Sequence, residues 1–161
     1  MSMKWLAFAV LMLASAHGVF LAAEETRTVE PIPPQYENVT SLALYVESHQ
    51  VHKLEERDFH VLKVRLINAA DTPISFDGYG EAHPWYQIQT WTDGEWKNHG
   101  VGWFCGTGLR QCVIRPGESS VISVNIDTKR IRFPIRIGVT YTLENGTEPT
   151  PRTVWSDRIV E

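Results

Sequence analysis

Ile135-Arg-Ile-Gly-Val-Thr-Tyr-Thr-Leu143 decides the fold. Ile135, Ile137, Val139, Tyr141 and Leu143 alternate with Arg136, Gly138, Thr140 and Thr142. Successive side chains of a strand point to opposite faces, so this period of two describes an extended segment with one dry face. The same alternation recurs upstream in Leu42, Leu44 and Val46, in Tyr86, Ile88 and Thr90, and in Ile122, Val124 and Ile126. It also runs through His60, Leu62, Val64 and Leu66, with Lys63 and Arg65 on the other side. Ile74 and Phe76 begin a further run, and Val154 to Ile159 closes the series. Turn residues separate the runs: Asn68 to Pro73, Asp77-Gly78, Pro116-Gly117 and Asn145-Gly146. Asp93-Gly94 is the sharpest of these signals. A two-residue hairpin there sets Thr92 against Glu95 and Trp91 against Trp96.

A single open sheet would leave its apolar side wet, whereas two stacked sheets bury it. The pattern therefore predicts an all-β, antiparallel two-sheet sandwich with Greek-key connections and about seven to eight strands. No segment after the N-terminal region holds a helical period over three turns. Three stretches carry a resemblance: Asn68-Ala-Ala-Asp-Thr-Pro-Ile74, Pro116-Gly-Glu-Ser119 leading into Val-Ile-Ser-Val124, and Gly138-Val-Thr-Tyr141. With Gly102-Trp-Phe-Cys-Gly-Thr-Gly-Leu109, they make residues 59–143 resemble immunoglobulin-like or fibronectin-III-like domains of uncharacterised exported bacterial proteins. The resemblance implies the sandwich and an exported location, and it brings no activity.

The chain has 161 residues and a net charge of −4, so it holds one ordinary domain and no positive field for nucleic acid. Lys4, the apolar run Trp5 to Leu13 and the small residues that follow have the parts of a secretory signal. Residues 1–23 are thus expected to be a signal peptide, cleaved after Ala16 or Ala23. An uncleaved anchor is the alternative, disfavoured by His17 and Gly18, and no stable membrane span is expected after cleavage. Pro31, Pro33 and Pro34 make residues 24–38 an extended, mobile lead-in, and 39–161 are expected to form the sandwich. Export places the protein in the periplasm or outside the cell, an oxidising setting in which Cys105 and Cys112 are expected to form a disulfide. So short a loop contributes about 2–3 kcal/mol.

Catalytic signatures do not accumulate. There is no Gly-x-Ser-x-Gly elbow, and no His or Met follows either cysteine to complete a cupredoxin copper site. His49 and His52 have an i, i+3 spacing that converges only on a helix, and Asp77, Glu81 and His83 share a polar turn more readily than a cation. Lys129, Arg130, Arg132 and Arg136 read as a solvated basic segment, with an anionic polymer or lipid headgroup as the sharper alternative. Asn38 and Asn145 head glycosylation sequons that matter only in a eukaryotic secretory pathway. No cofactor, metal or catalytic residue is expected.

The tryptophans are the best functional material. If Tyr86, Ile88 and Thr90 face inward, then Trp85, Gln87, Gln89 and Trp91 share the outer face, beside Trp96. Flat rings stack on apolar sugar faces while amides bond hydroxyls, and Trp85 and Trp91 lie about 20 Å apart at the rise of a strand. The plainer reading is that the loop carrying Trp103, Phe104 and Leu109 covers this strip. Trp155 and Tyr141 are expected in the core. The first expectation is therefore an exported, non-catalytic interaction or structural module whose partner is an unidentified protein or glycan, acting through the Gly100–Cys112 loop. The second is a glycan-binding module using the Trp/Gln strip. Inhibition of an extracellular protease follows from fold and size alone, and a metal-dependent enzyme is the remaining alternative.

Overall fold

A computed structural model describes residues 29–54, 57–101, 108–127, 129–144 and 150–160. The expected signal peptide lies outside the described residues, as do Trp103, Phe104, Cys105 and the Asn145 sequon. Ten strands follow in chain order among the described residues: β1 Val29–Pro31, β2 Leu42–Leu54, β3 Arg57–Asn68, β4 Ile74–Gly78, β5 Tyr86–Thr92, β6 Glu95–Val101, β7 Arg110–Ile114, β8 Glu118–Asp127, β9 Ile135–Leu143 and β10 Arg152–Trp155. One short 3-10 turn, Pro34–Tyr36, is added between β1 and β2. All pairings are antiparallel. One sheet has the order β1-β8-β3-β2, and the other runs β6-β5-β9-β4-β7 with β10 on β9. No helix of the described residues is long and apolar enough to cross a membrane.

The alternating apolar positions meet between the two sheets. Leu62, Val64 and Leu66 of β3 are fully buried beside Ile122, Val124 and Ile126 of β8. They pack against Ile74 and Phe76 of β4, Ile88 of β5, Ile114 of β7, and Ile135, Ile137 and Val139 of β9. Full burial of each such side chain contributes about 1.5–3 kcal/mol, which makes this seam the main source of stability. The sandwich read from the sequence is the fold. Part of the lead-in belongs to it, because Val29, Glu30 and Pro31 pair with Ser120, Ser119 and Glu118 at the edge of the smaller sheet. Proline is tolerated there because an edge strand has a side with no ladder bond to donate.

A bulge between Val46 and Ser48 resets the phase of β2. Leu42, Leu44 and Val46 pack inward before it, and His49 packs inward after it, opposite Leu62. His49 thus meets His60, with Nε2 and Nδ1 2.6 Å apart, and both rings lie against Phe133. His49 and His52 do not converge; the extra residue of the bulge sets His49 to face a neighbouring strand instead. The same bulge turns Glu47 outward to Arg65.

The expected disulfide is not seen. Cys112 is 3% exposed, sits in β7 opposite Phe76 and belongs to the hydrophobic core, with its Sγ 3.8 Å from the Arg110 carbonyl oxygen. The alternation of β7 turns it inward with Ile114, where a thiol packs as a small apolar group. The bridge was expected from an exported setting and a pair of cysteines, and the phase of β7 instead carries Cys112 into the core. Tyr141 packs against the core as expected, but Trp155 does not enter it.

Candidate functional site

The Asp93-Gly94 turn builds one end of the site. Asp93 has φ 56° and Gly94 φ 83°, the pair of left-handed residues that a tight hairpin with twisted strands requires. The resulting register sets Thr92 opposite Glu95 and Trp91 opposite Trp96, as the sequence predicts. The two indoles meet edge to face at 5.2 Å. Beyond the turn, Lys97 Nζ lies 3.2 Å from Asp93 and 3.3 Å from Glu95, so both acids of the hairpin already hold a cation.

The outer face of the larger sheet then follows from register alone. Gln89 of β5 lies opposite Arg136 of β9, and Gln87 lies opposite Gly138. Gly138 also lies opposite Trp155 of β10, and Thr140 opposite Thr153. A Cβ on Gly138 would come within 2.5 Å of the Trp155 ring, so the missing side chain is what lets this indole lie flat across β9. From there it reaches Arg136, whose guanidinium carbon is 4.5 Å from its centroid. The Trp96 ring approaches the same carbon at 4.5 Å. Because β10 and β5 flank β9 on opposite edges, the two indoles come from opposite sides and enclose the cation.

Hydrogen bonds hold this arrangement in plane. Arg136 Nε donates to Gln89 Oε1 at 2.8 Å, and Gln89 Nε2 donates to Asn98 Oδ1 at 2.7 Å. Gln87 Nε2 donates to Thr140 Oγ1 at 3.1 Å, and Thr140 shares a 3.1 Å hydrogen bond with Thr153. Among the described residues no carboxylate pairs with Arg136. Burial lowers its pKa. A second cation, Arg158, stands 5.7 Å from the Trp91 centroid.

Trp85 and Trp91 remain 38% and 37% exposed, so the strip presents aromatic surface to solvent. The structure brings Trp91, Trp96, Gln87 and Gln89 together on this face, with Trp85 just before β5. Leu109 is half-buried and leads into β7 at the opposite edge of the sheet, beside Gly108, which packs near Tyr79. Trp103 and Phe104, the loop residues expected to cover the strip, lie outside the described residues.

Sequence reasoning missed Arg136, Asn98, Thr140, Thr153 and Trp155 as members of this face. It grouped Arg136 with Lys129, Arg130 and Arg132, yet those three occupy the connection between β8 and β9, while Arg136 is inside β9. Gly138, a glycine inside an otherwise regular alternation, was the available signal that a large neighbour lies over the backbone. The Asp77–His83 region is a backbone-bonded turn, with Tyr79 N–H to His83 O and His83 N–H to Gly80 O both 3.0 Å. Among the described residues no group of three His, Cys, Asp or Glu side chains gathers as a metal set.

No family model matches this sequence, and no curated protein matches it. Solved structures similar to this chain include the following two. A Bordetella pertussis protein provisionally assigned as ApaA is 18% identical, covers 75% of this chain and 94% of its own, and superposes with a TM-score of 0.44. An Archaeoglobus fulgidus protein is 12% identical over 75% of this chain and 98% of its own, with a TM-score of 0.38.

Proposed function

We propose that this chain is an exported, non-catalytic binding module that uses the outer face of β6, β5, β9 and β10 to hold a polysaccharide. The supporting observation is the aromatic strip itself. Three indoles, those of Trp91, Trp96 and Trp155, mark one side of one sheet, with Trp85 just before β5, and amides and hydroxyls fill the rows between them. A folded domain gains most by covering such rings, and here two of them stay more than one-third exposed. Sugars suit this surface because their C–H faces stack on indoles while their hydroxyls accept and donate in the ring plane. A strand-borne strip also suits a linear chain, because successive outward residues repeat every ~6.6 Å.

The signal-peptide pattern expected in residues 1–23 supports an extracellular or periplasmic site of action, and the immunoglobulin-like resemblance supports a recognition role. An intrinsic-fluorescence titration against a panel of soluble polysaccharides tests the reading. Binding is expected to shift tryptophan emission and to protect it from acrylamide. Unchanged emission with every polysaccharide would remove the glycan and leave the interaction module without its proposed ligand.

A further inference from the structure

We propose that the ligand is an acidic polysaccharide of the uronate type, and that Arg136 receives its carboxylate in the plane between Trp96 and Trp155. The inference rests on the glycan reading above and names the class of glycan.

The geometry leaves Arg136 unfinished. Its Nε is used by Gln89, and Gln89 is held in turn by Asn98, so the guanidinium has a fixed orientation. Two indoles cover its faces at 4.5 Å each. Stacking of this kind occupies the faces of the cation and leaves its rim, where the Nη donors point. Acceptors bind that rim in plane, and a carboxylate matches it with two parallel bonds. No described residue fills this place. The two acids of the hairpin, Asp93 and Glu95, are engaged by Lys97.

The opposite sheet shows how this chain completes an arginine that only ties strands together. Arg65 bonds the carboxylates of Glu30 and Glu47 and the hydroxyl of Ser119. Arg136 has two aromatic walls in place of those acids. A hexuronate carries both parts of the complement, an apolar ring face for an indole and an equatorial carboxylate at its edge. Arg158 beside Trp91 adds a second cation to the same strip, which favours a polymer with a charge on each residue over a single acidic sugar.

Isothermal titration calorimetry of the full chain at low salt tests this with three probes: polygalacturonate, its fully methyl-esterified form and dextran sulfate. Polygalacturonate is expected to bind, and esterification, which keeps the sugar shape and removes the charge, is expected to weaken binding about tenfold or more. Arg136→Met is expected to weaken polygalacturonate by a similar factor, with Arg136→Lys failing to restore it because an ammonium lacks the planar fork. The esterified probe needs no variant, so it decides the matter even where a substitution disturbs folding. Equal affinity for the esterified and free forms would overturn the carboxylate assignment while the glycan reading stands. Tight binding of dextran sulfate without binding of polygalacturonate would overturn it in favour of sulfate. No binding to any of the three, with neutral polysaccharides equally inert, would overturn both.

Discussion

Arg65 and Arg136 each lie on the outer face of one of the two sheets, and their surroundings differ in kind. Arg65 joins β1, β2, β3 and β8 by reaching Glu30, Glu47 and Ser119. Burial works against its charge, but the bonds and charges of Glu47 and Glu30 outweigh that, and its pKa is raised. Arg136 is also partly withdrawn from water, yet it has an amide and two indoles around it, and its pKa is lowered. One guanidinium is complete within the fold. Among the described residues, the other keeps donors without a carboxylate partner on a surface lined with rings. The lesson is that residue type alone does not mark a site; what matters is whether the fold supplies the counter-charge.

Substitution at Arg65 is expected to cost the most. Arg65→Met strands two acids at a strand junction, and breaking a buried pair costs about 3–5 kcal/mol, reduced here to about 2–3 because Glu30 is half exposed. Urea unfolding checks this, with a lower midpoint and an unchanged slope expected. Gly138→Val comes next. Its side chain collides with the Trp155 ring, and overpacking costs about 1–3 kcal/mol. The variant is also expected to open the Arg136 enclosure, seen as increased acrylamide quenching of tryptophan.

Arg136→Met should leave the fold nearly intact, because exposed cation–aromatic contacts contribute about 0.5–1 kcal/mol each. A midpoint as depressed as that of Arg65→Met would make both arginines structural and collapse the distinction. The smallest effect concerns pH. Burial raises the Tyr86 pKa, so the folded protein keeps this phenol protonated after the unfolded chain begins to ionise it. Stability is therefore full below the ordinary tyrosine value of about 10 and falls as pH rises toward and through the folded value. Tyr86→Phe is expected to flatten that alkaline decline in thermal melts.

Much of the fold was legible because alternation reports burial directly. The runs in β3, β8 and β9 define the seam, and Asp93-Gly94 fixes the Trp91–Trp96 register. The half of the site on β5 followed from that register. The other half did not, because it depends on which strands become neighbours. Nothing local to Arg136 says that β10 will lie on one side and β5 on the other. The phase of β2 was hidden for a related reason, since the bulge at Glu47 moves His49 inward without changing the composition of the segment. The disulfide was expected from compartment and cysteine count, neither of which reports the phase of β7 that turns Cys112 inward.

The most direct measurement is a proton–nitrogen correlation spectrum of the labelled full chain during titration with oligogalacturonate. Shifts are expected in the indole N–H signals of Trp91, Trp96 and Trp155 and in the Arg136 Nε–H signal, with amides of β1, β2, β3 and β8 unmoved. Shifts confined to the β1-β8-β3-β2 sheet, or a still spectrum at saturating ligand, would contradict it.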